Sequence, residues 1–259
     1  MTPATLHALL RSVHIAAGFT GLVVFWIPLI ARKGSAAHRA WGRAFAVCAG
    51  VVIVTALLAC AWLLVDPAGF AGPDAADSPT ERWRLRFFGT MLGALGIFTL
   101  PPLVLAVRVV TTRSSPERLV RPWVRGLAAL PALAGIGLLG FALSWWRAEG
   151  PTALGGVAAA LGLVGLRATA DLVRFLADPF PLETSWLTRH MEFTLTCGIA
   201  FHTAFSVFGL TRLLPGLFSG PVQIVAWLLP AAVGLPVMGL WIRAVRRGSA
   251  GAPSRSGGE

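Results

Sequence analysis

The sequence predicts an all-α fold: an integral membrane bundle of about seven transmembrane helices, amino terminus outside and carboxyl terminus cytoplasmic. Three observations carry the prediction. The chain is 56% hydrophobic and only 13% charged, about half the charge of a soluble domain. Apolar runs of about 20 residues recur along it, the length that crosses about 30 Å of hydrocarbon at 1.5 Å per residue. Lys and Arg gather in alternate connections between those runs.

The runs extend approximately from Leu10 to Ala31, Trp41 to Val65, Phe87 to Val110, Trp123 to Trp146, Thr152 to Leu176, Arg189 to Thr211 and Pro221 to Ile242. Seven spans place the termini on opposite sides. With the amino terminus outside, the inner side holds Arg32, Lys33, Arg39 and Arg43, then Arg108, Arg113, Arg118, Arg121 and Arg125, then Arg167, Arg174 and Arg189, and last Arg243, Arg246, Arg247 and Arg255. The outer side keeps Arg11, Arg82, Arg84, Arg86, Arg147 and Arg212. Lys and Arg are retained on the cytoplasmic face, so this bias sets the orientation. The formal charge of +11 is then a topological signature, arginines beside anionic headgroups. No basic stretch is interleaved with exposed aromatics as a single-strand binder needs, so the expected partner is the lipid bilayer and not nucleic acid.

The positive cluster "ARKGSAAHR" follows the first apolar run, whereas a cleaved signal peptide carries its positive residues before it; the first span is expected to stay. "DPAGFAGPDAADSPTERWR", Asp66 to Arg84, is rich in Gly, Pro and acid and reads as an outer loop. Residues 1–247 are expected to form a single helical transmembrane domain. The tail at 248–259, "GSAGAPSRSGGE", lacks apolar periodicity and is expected to be disordered and cytoplasmic. Cys48, Cys60 and Cys197 lie inside spans without paired spacing and read as packing residues. Trp41, Trp83, Trp123, Trp145, Trp146, Trp186 and Trp241 fall near span ends, where an indole keeps its ring in the apolar layer and its N–H in water.

The informative residues are polar ones at membrane depth. Of eleven acids, only Asp171 and Glu192 sit within spans, where an ion costs at least about 2.5 kcal/mol on insertion scales. Arg167 and Arg174 share a helical face with Asp171 and can neutralise it. His38, Arg39 and Arg43 lie at the same inner boundary. His38, Asp171 and His190 are therefore candidate ligands of a divalent zinc, iron or manganese ion, with Arg39, Arg167, Arg174 and Glu192 as polar support. His190 and Glu192 point about 200° apart on a helix, so they cannot both serve one ion.

In the outer half, His14 and His202 are candidates for the two ligands of a haem or for a proton relay. Gly18 and Gly21 give the His14 span a groove that admits a neighbouring helix or a flat cofactor. His202 lies deep and calls for a polar partner, with His14 or Thr20 in view. "HIAAGFTGL" from His14 and "HTAFSVFGL" from His202 agree at His, Ala, Gly and Leu, and inverted repeats mark secondary transporters.

The stretches "HIAAGFTGLVVFWIPLIARKGSAAHRAWGR", "DLVRF", "WLTRHMEFTLTCGIAFHTAFSVF" and "WLLPAAVGLPVMGLWIR" resemble a group of uncharacterised bacterial multi-pass membrane proteins. The shared pieces are a His in the first span, a Lys-Gly then His-Arg-x-x-Gly loop, an Asp-Leu ending one span, a Trp-Leu-x-x-His entry to the next, a Thr-Ala-Phe and a terminal Trp-Leu-Leu-Pro span. The likeness covers about half the chain and picks out His14, Gly34, His38, Arg39, Gly42, Asp171, Trp186, His190, Thr203, Ala204 and Phe205. It implies the bacterial cytoplasmic (inner) membrane and no established chemistry. Glu192 and His202 depart from the group's pattern, which favours His14, His38, Asp171 and His190 as site members.

There is no phosphate loop, no His-Glu-x-x-His pair and no nucleophile elbow. Three readings follow: a bundle binding a metal or haem, a small proton-coupled transporter, and an accessory membrane subunit with structural histidines that has a membrane protein partner or forms a homo-oligomer.

Overall fold

The computed structural model describes residues 2–72, 74–180, 185–214 and 222–250. Among them there is no strand. The helices are α1 (Pro3–Ile30), α2 (Ala36–Val65), a short α3 (Pro67–Ala71), α4 (Pro79–Thr111), α5 (Pro122–Glu149), α6 (Ala153–Ala177), α7 (Ser185–Ala204), which passes through a π-helical segment (Phe205–Leu210) into α8 (Thr211–Leu213), and α9 (Val222–Ala250). Among the described residues seven helices are long and apolar enough to cross a membrane: α1, α2, α4, α5, α6, α7 with its π continuation, and α9.

The first three apolar runs begin inside helices that start earlier than the run, because the start is set by a cap and not by hydropathy. Thr2 accepts from the Thr5 N–H with Pro3 in the first helical position, and Ser35 accepts from the His38 N–H at 3.1 Å. Ser78 accepts from the Glu81 N–H at 3.1 Å, and Thr152 from the Gly155 N–H at 3.2 Å. Such caps satisfy donors that the first turn leaves unpaired. They move the start of α1 from Leu10 to Pro3, of α2 from Trp41 to Ala36 and of α4 from Phe87 to Pro79.

The stretch from Asp66 to Arg84, read as a loop, is more ordered than expected. Asp66 accepts from the Gly69 N–H at 2.9 Å and Pro67 opens α3. A 3-10 turn spans Asp74–Ala76, and α4 has begun by Pro79. At the other end of the chain α9 continues to Ala250, so the tail begins as helix; the remainder read as disordered, residues 251–259, lies outside the described residues.

The chain forms two compact units, Met1–Val104 with Glu117–Asp178, and Leu105–Pro116 with Pro179–Glu259. The first is built from the α1–α2 and α5–α6 hairpins and α4 up to Val104. Its helices approach through glycines. A Cβ on Gly135 would meet the Gly162 carbonyl at 2.6 Å, and one on Gly165 the Pro131 carbonyl at 2.5 Å and the Phe98 ring at 2.6 Å. Gly89, Gly93 and Gly96 of α4 likewise face Leu63, Cys60 and Leu57 of α2. Membrane helices associate by this close backbone contact, since lipid gives no hydrophobic drive between them. Around the seams Phe45, Ala49, Ile53, Phe87, Met91, Leu138 and Ala142 are buried. Trp145 ties the end of α5 to the start of α6 by donating its indole N–H to Thr152 at 2.9 Å.

The second unit packs α7 on α9. Gly234 of α9 sits against Ile199, and Phe208 of the π segment meets Trp227 edge-on at 5.8 Å. Phe193, Leu195, Cys197, Phe201 and Val207 are buried. Both units expose large aliphatic side chains, Val23 at 68%, Leu133 at 66% and Leu240 at 59% among them. An exterior this apolar fits a lipid bilayer and not water.

Candidate functional site

Four histidines, on α1, at the start of α2 and on α7, do the same thing: each engages an oxygen through Nδ1. His14 on α1 lies 3.0 Å from the Thr55 hydroxyl of α2. The single Thr55 proton is directed to the Val51 carbonyl at 2.7 Å, so the hydroxyl accepts and His14 Nδ1–H donates. His38 Nδ1–H donates to the Pro28 carbonyl at 3.0 Å. His190 on α7 donates to the Ala106 carbonyl of α4 at 2.8 Å. His202 donates to the Gly198 carbonyl one turn earlier in α7, at 2.7 Å.

The α1–α2 connection shows why its residue types are needed. Helix α1 ends at Ile30, leaving the Pro28 and Leu29 carbonyls without further helical N–H groups. Lys33 reaches back and donates to both, at 2.9 and 2.6 Å, while His38 adds its own bond to Pro28. Burial pushes the Lys33 ammonium below the usual lysine range, the carbonyls supplying part of what water no longer does. Gly34 adopts φ +75°, a left-handed conformation that costs other residues roughly 1–2 kcal/mol. Arg39 donates to the Gly34 carbonyl. Sequence reasoning offered His38 as a candidate metal ligand with Arg39 as polar support; in the structure they bond to the Pro28 and Gly34 carbonyls of this connection.

Asp171 behaves as the spacing predicts. It accepts from Arg167 Nε at 2.9 Å and from Arg174 Nη1 at 3.2 Å, all three side chains being half or more exposed. Glu192 pairs with Arg189 at 2.8 Å, while His190 points to α4, in keeping with their divergent directions on α7. His202 bonds to Gly198 within its own helix, and His14 bonds to Thr55. Among the described residues no group of three or more His, Cys, Asp and Glu side chains is placed to hold a metal ion. His14, His38 and Asp171 belong to the first unit, and His190 and His202 to the second.

Sequence reasoning missed Thr55 and Lys33 as working parts, and singled out Trp186 without its partner. Trp186 carries the Arg113 guanidinium over its ring at 5.1 Å, one turn before His190 on the same face. Thr55 had a signal: a lone hydroxyl in "VVIVTALLAC", at a depth where it must find a partner. Thr55→Val should remove the His14–Thr55 bond and cost about 1–3 kcal/mol, whereas Thr55→Ser should cost little. Denaturation in mild detergent compares them, and equal midpoints for Val and Ser would refute the bond.

No family model, no curated protein and no solved structure matches the chain.

Proposed function

We propose that the protein is an accessory subunit of a bacterial cytoplasmic membrane, amino terminus outside and carboxyl terminus cytoplasmic, whose histidines hold helices and turns in place for a membrane partner. The observation that carries this reading is the shared use of Nδ1: at His14, His38, His190 and His202 a ring N–H is spent on a hydroxyl or carbonyl within the same unit. The Lys and Arg bias supports the orientation.

The side-chain amide of Asn reproduces an imidazole donor at Nδ1, and that of Gln one at Nε2. If the histidines are structural, Asn at position 14, 38 or 202 keeps the melting temperature and the co-purifying partner, and Gln loses both. The reverse order would place the chemistry at Nε2 and overturn the reading. A cytoplasmic fluorescent reporter fused at the carboxyl terminus should fluoresce, and an export-dependent phosphatase inserted after Gly72 should be active.

A second reading is favoured by the same bond at His202. An imidazole anchored by Nδ1–H to a carbonyl is also the arrangement that orients a ring for ligation through Nε2. A haem or divalent metal at His202, or a proton relay through it in a small transporter, would use that anchor. An absorption spectrum with elemental analysis on the purified protein tests the cofactor form, and proton flux in liposomes tests the relay.

A further inference from the structure

The turn between α1 and α2, with the start of α2, carries Arg32, Lys33, Arg39 and Arg43 and no acid; the first acid of the chain, Asp66, stands at the far end of α2. Lys33 and Arg39 are bonded to backbone carbonyls, which are neutral, so their charges remain. Arg32 and Arg43 are exposed and have no hydrogen bond or ion pair among the described residues. On the other segments that end on this side of the first unit, Glu117, Asp171 and Asp178 are outnumbered by arginines, and Asp171 is held by Arg167 and Arg174.

Local physics works against this arrangement. The amino end of a helix favours negative charge, yet α2 has no acid in its first turn and places two arginines close behind it. Four residues apart, Arg39 and Arg43 share a face and repel one another. Conflicts of this kind are expected at functional sites, and an anion lying against the face relieves both costs. The same face turns apolar as α2 enters the membrane: Val47, four residues after Arg43, is 66% exposed, and Val54 and Leu58 continue it, also exposed. Trp41, between the two arginines in sequence, is 42% exposed. A small soluble anion covers none of these side chains, whereas a phospholipid brings a phosphate and acyl chains together.

We propose that this turn holds an anionic glycerophospholipid. Its phosphate lies against Arg39 and Arg43, Arg32 of the same turn adds charge, and its acyl chains follow the face of α2 that Val47, Val54 and Leu58 continue. The full chain in mild detergent is titrated with dioctanoyl phosphatidylglycerol and with dioctanoyl phosphatidylcholine, following melting temperature, while native mass spectrometry counts bound lipid. A saturable rise with phosphatidylglycerol alone is expected. Arg43→Gln should weaken the midpoint about fivefold, and Arg32→Gln with Arg43→Gln about thirtyfold, as one and two arginines at an anionic surface contribute. Neither side chain has a partner to lose, so the melting temperature without lipid should not fall.

Arg125→Gln, at the start of α5 on the same side of the unit, is the control and should leave the midpoint unchanged. Equal losses for Arg43→Gln and Arg125→Gln would mean a diffuse attraction to the whole basic side and overturn the proposal, as would equal responses to the two lipids. Sodium phosphate against sodium chloride at matched ionic strength supplies the remaining arm. A saturable rise with phosphate that Arg43→Gln removes, with no further gain from phosphatidylglycerol, would assign the turn to a free anion and overturn the lipid.

Discussion

Gly165→Ala is expected to lower stability by about 1–3 kcal/mol, the usual cost of overpacking a tight seam, and Gly165→Leu to prevent the α5–α6 hairpin from closing. The added Cβ would stand 2.5 Å from the Pro131 carbonyl oxygen and 2.6 Å from the Phe98 ring. The carbonyl is backbone and part of a helix, so it cannot swing aside as a flexible side chain would. Gly135→Ala should behave alike, since its obstacle at 2.6 Å is the Gly162 carbonyl. Gly156 supplies the control on the same helix as Gly165. Nothing lies within 4 Å of a Cβ there, and replacing a helical Gly with Ala gains roughly 0.5–1 kcal/mol where space allows. Unfolding by sodium dodecyl sulfate titration from mild micelles reads both, and matching midpoints for Gly165→Ala and Gly156→Ala would refute the steric account.

The second large effect is expected at His190. It donates to Ala106 at 2.8 Å, while Trp186, one turn earlier, lies under Arg113 at 5.1 Å. Positions four apart share a helix face; Ala106 lies in the last turns of α4 and Arg113 two residues past its end at Thr111, so the two contacts fasten the end of α4 and the turn after it to the start of α7. His190→Ala should cost about 1–3 kcal/mol and Trp186→Ala about 0.5–2 kcal/mol. His190→Asn should recover most of the first loss. Because both contacts act on the same pair of segments, the double variant should lose less than the sum of the singles. Strict additivity would mean that they are independent.

The spans were legible because lipid imposes one dominant rule, an apolar run of fixed length, and composition reports it directly. The helix starts were readable too, in retrospect: Ser78-x-x-Glu81 is a capping-box signature, hidden by its position inside a stretch rich in Gly, Pro and acid. The π segment at Phe205–Leu210 left no such trace; Gly209 makes room for the Phe205 ring, a packing choice that periodicity does not encode. At the histidines, sequence identified the polar residues that need partners but not the partners themselves. His38 could be paired with a carboxylate or with Pro28, and only the path of the chain decides. Asp171 was the exception, because Arg167 and Arg174 are its neighbours on one helix and need no tertiary fold to reach it. The arginines assigned to the outer side show the same limit: Arg82 donates to the Ala76 carbonyl, and Arg86 donates to the Leu64 carbonyl at the end of α2, partners that a count of charges does not reveal.

The two imidazole-to-carbonyl ties at His38 and His190 differ in how long the ribosome must work before each can form. His38 reaches Pro28 across 10 residues, whereas His190 reaches Ala106 across 84. At roughly 5–20 residues per second, the latter gap corresponds to roughly 4–17 seconds of synthesis. The α1–α2 turn can therefore be complete while most of the chain is still unmade. Throughout that interval the end of α4 waits in the membrane without α7, the stretch of biogenesis in which an insertion chaperone would have most to protect.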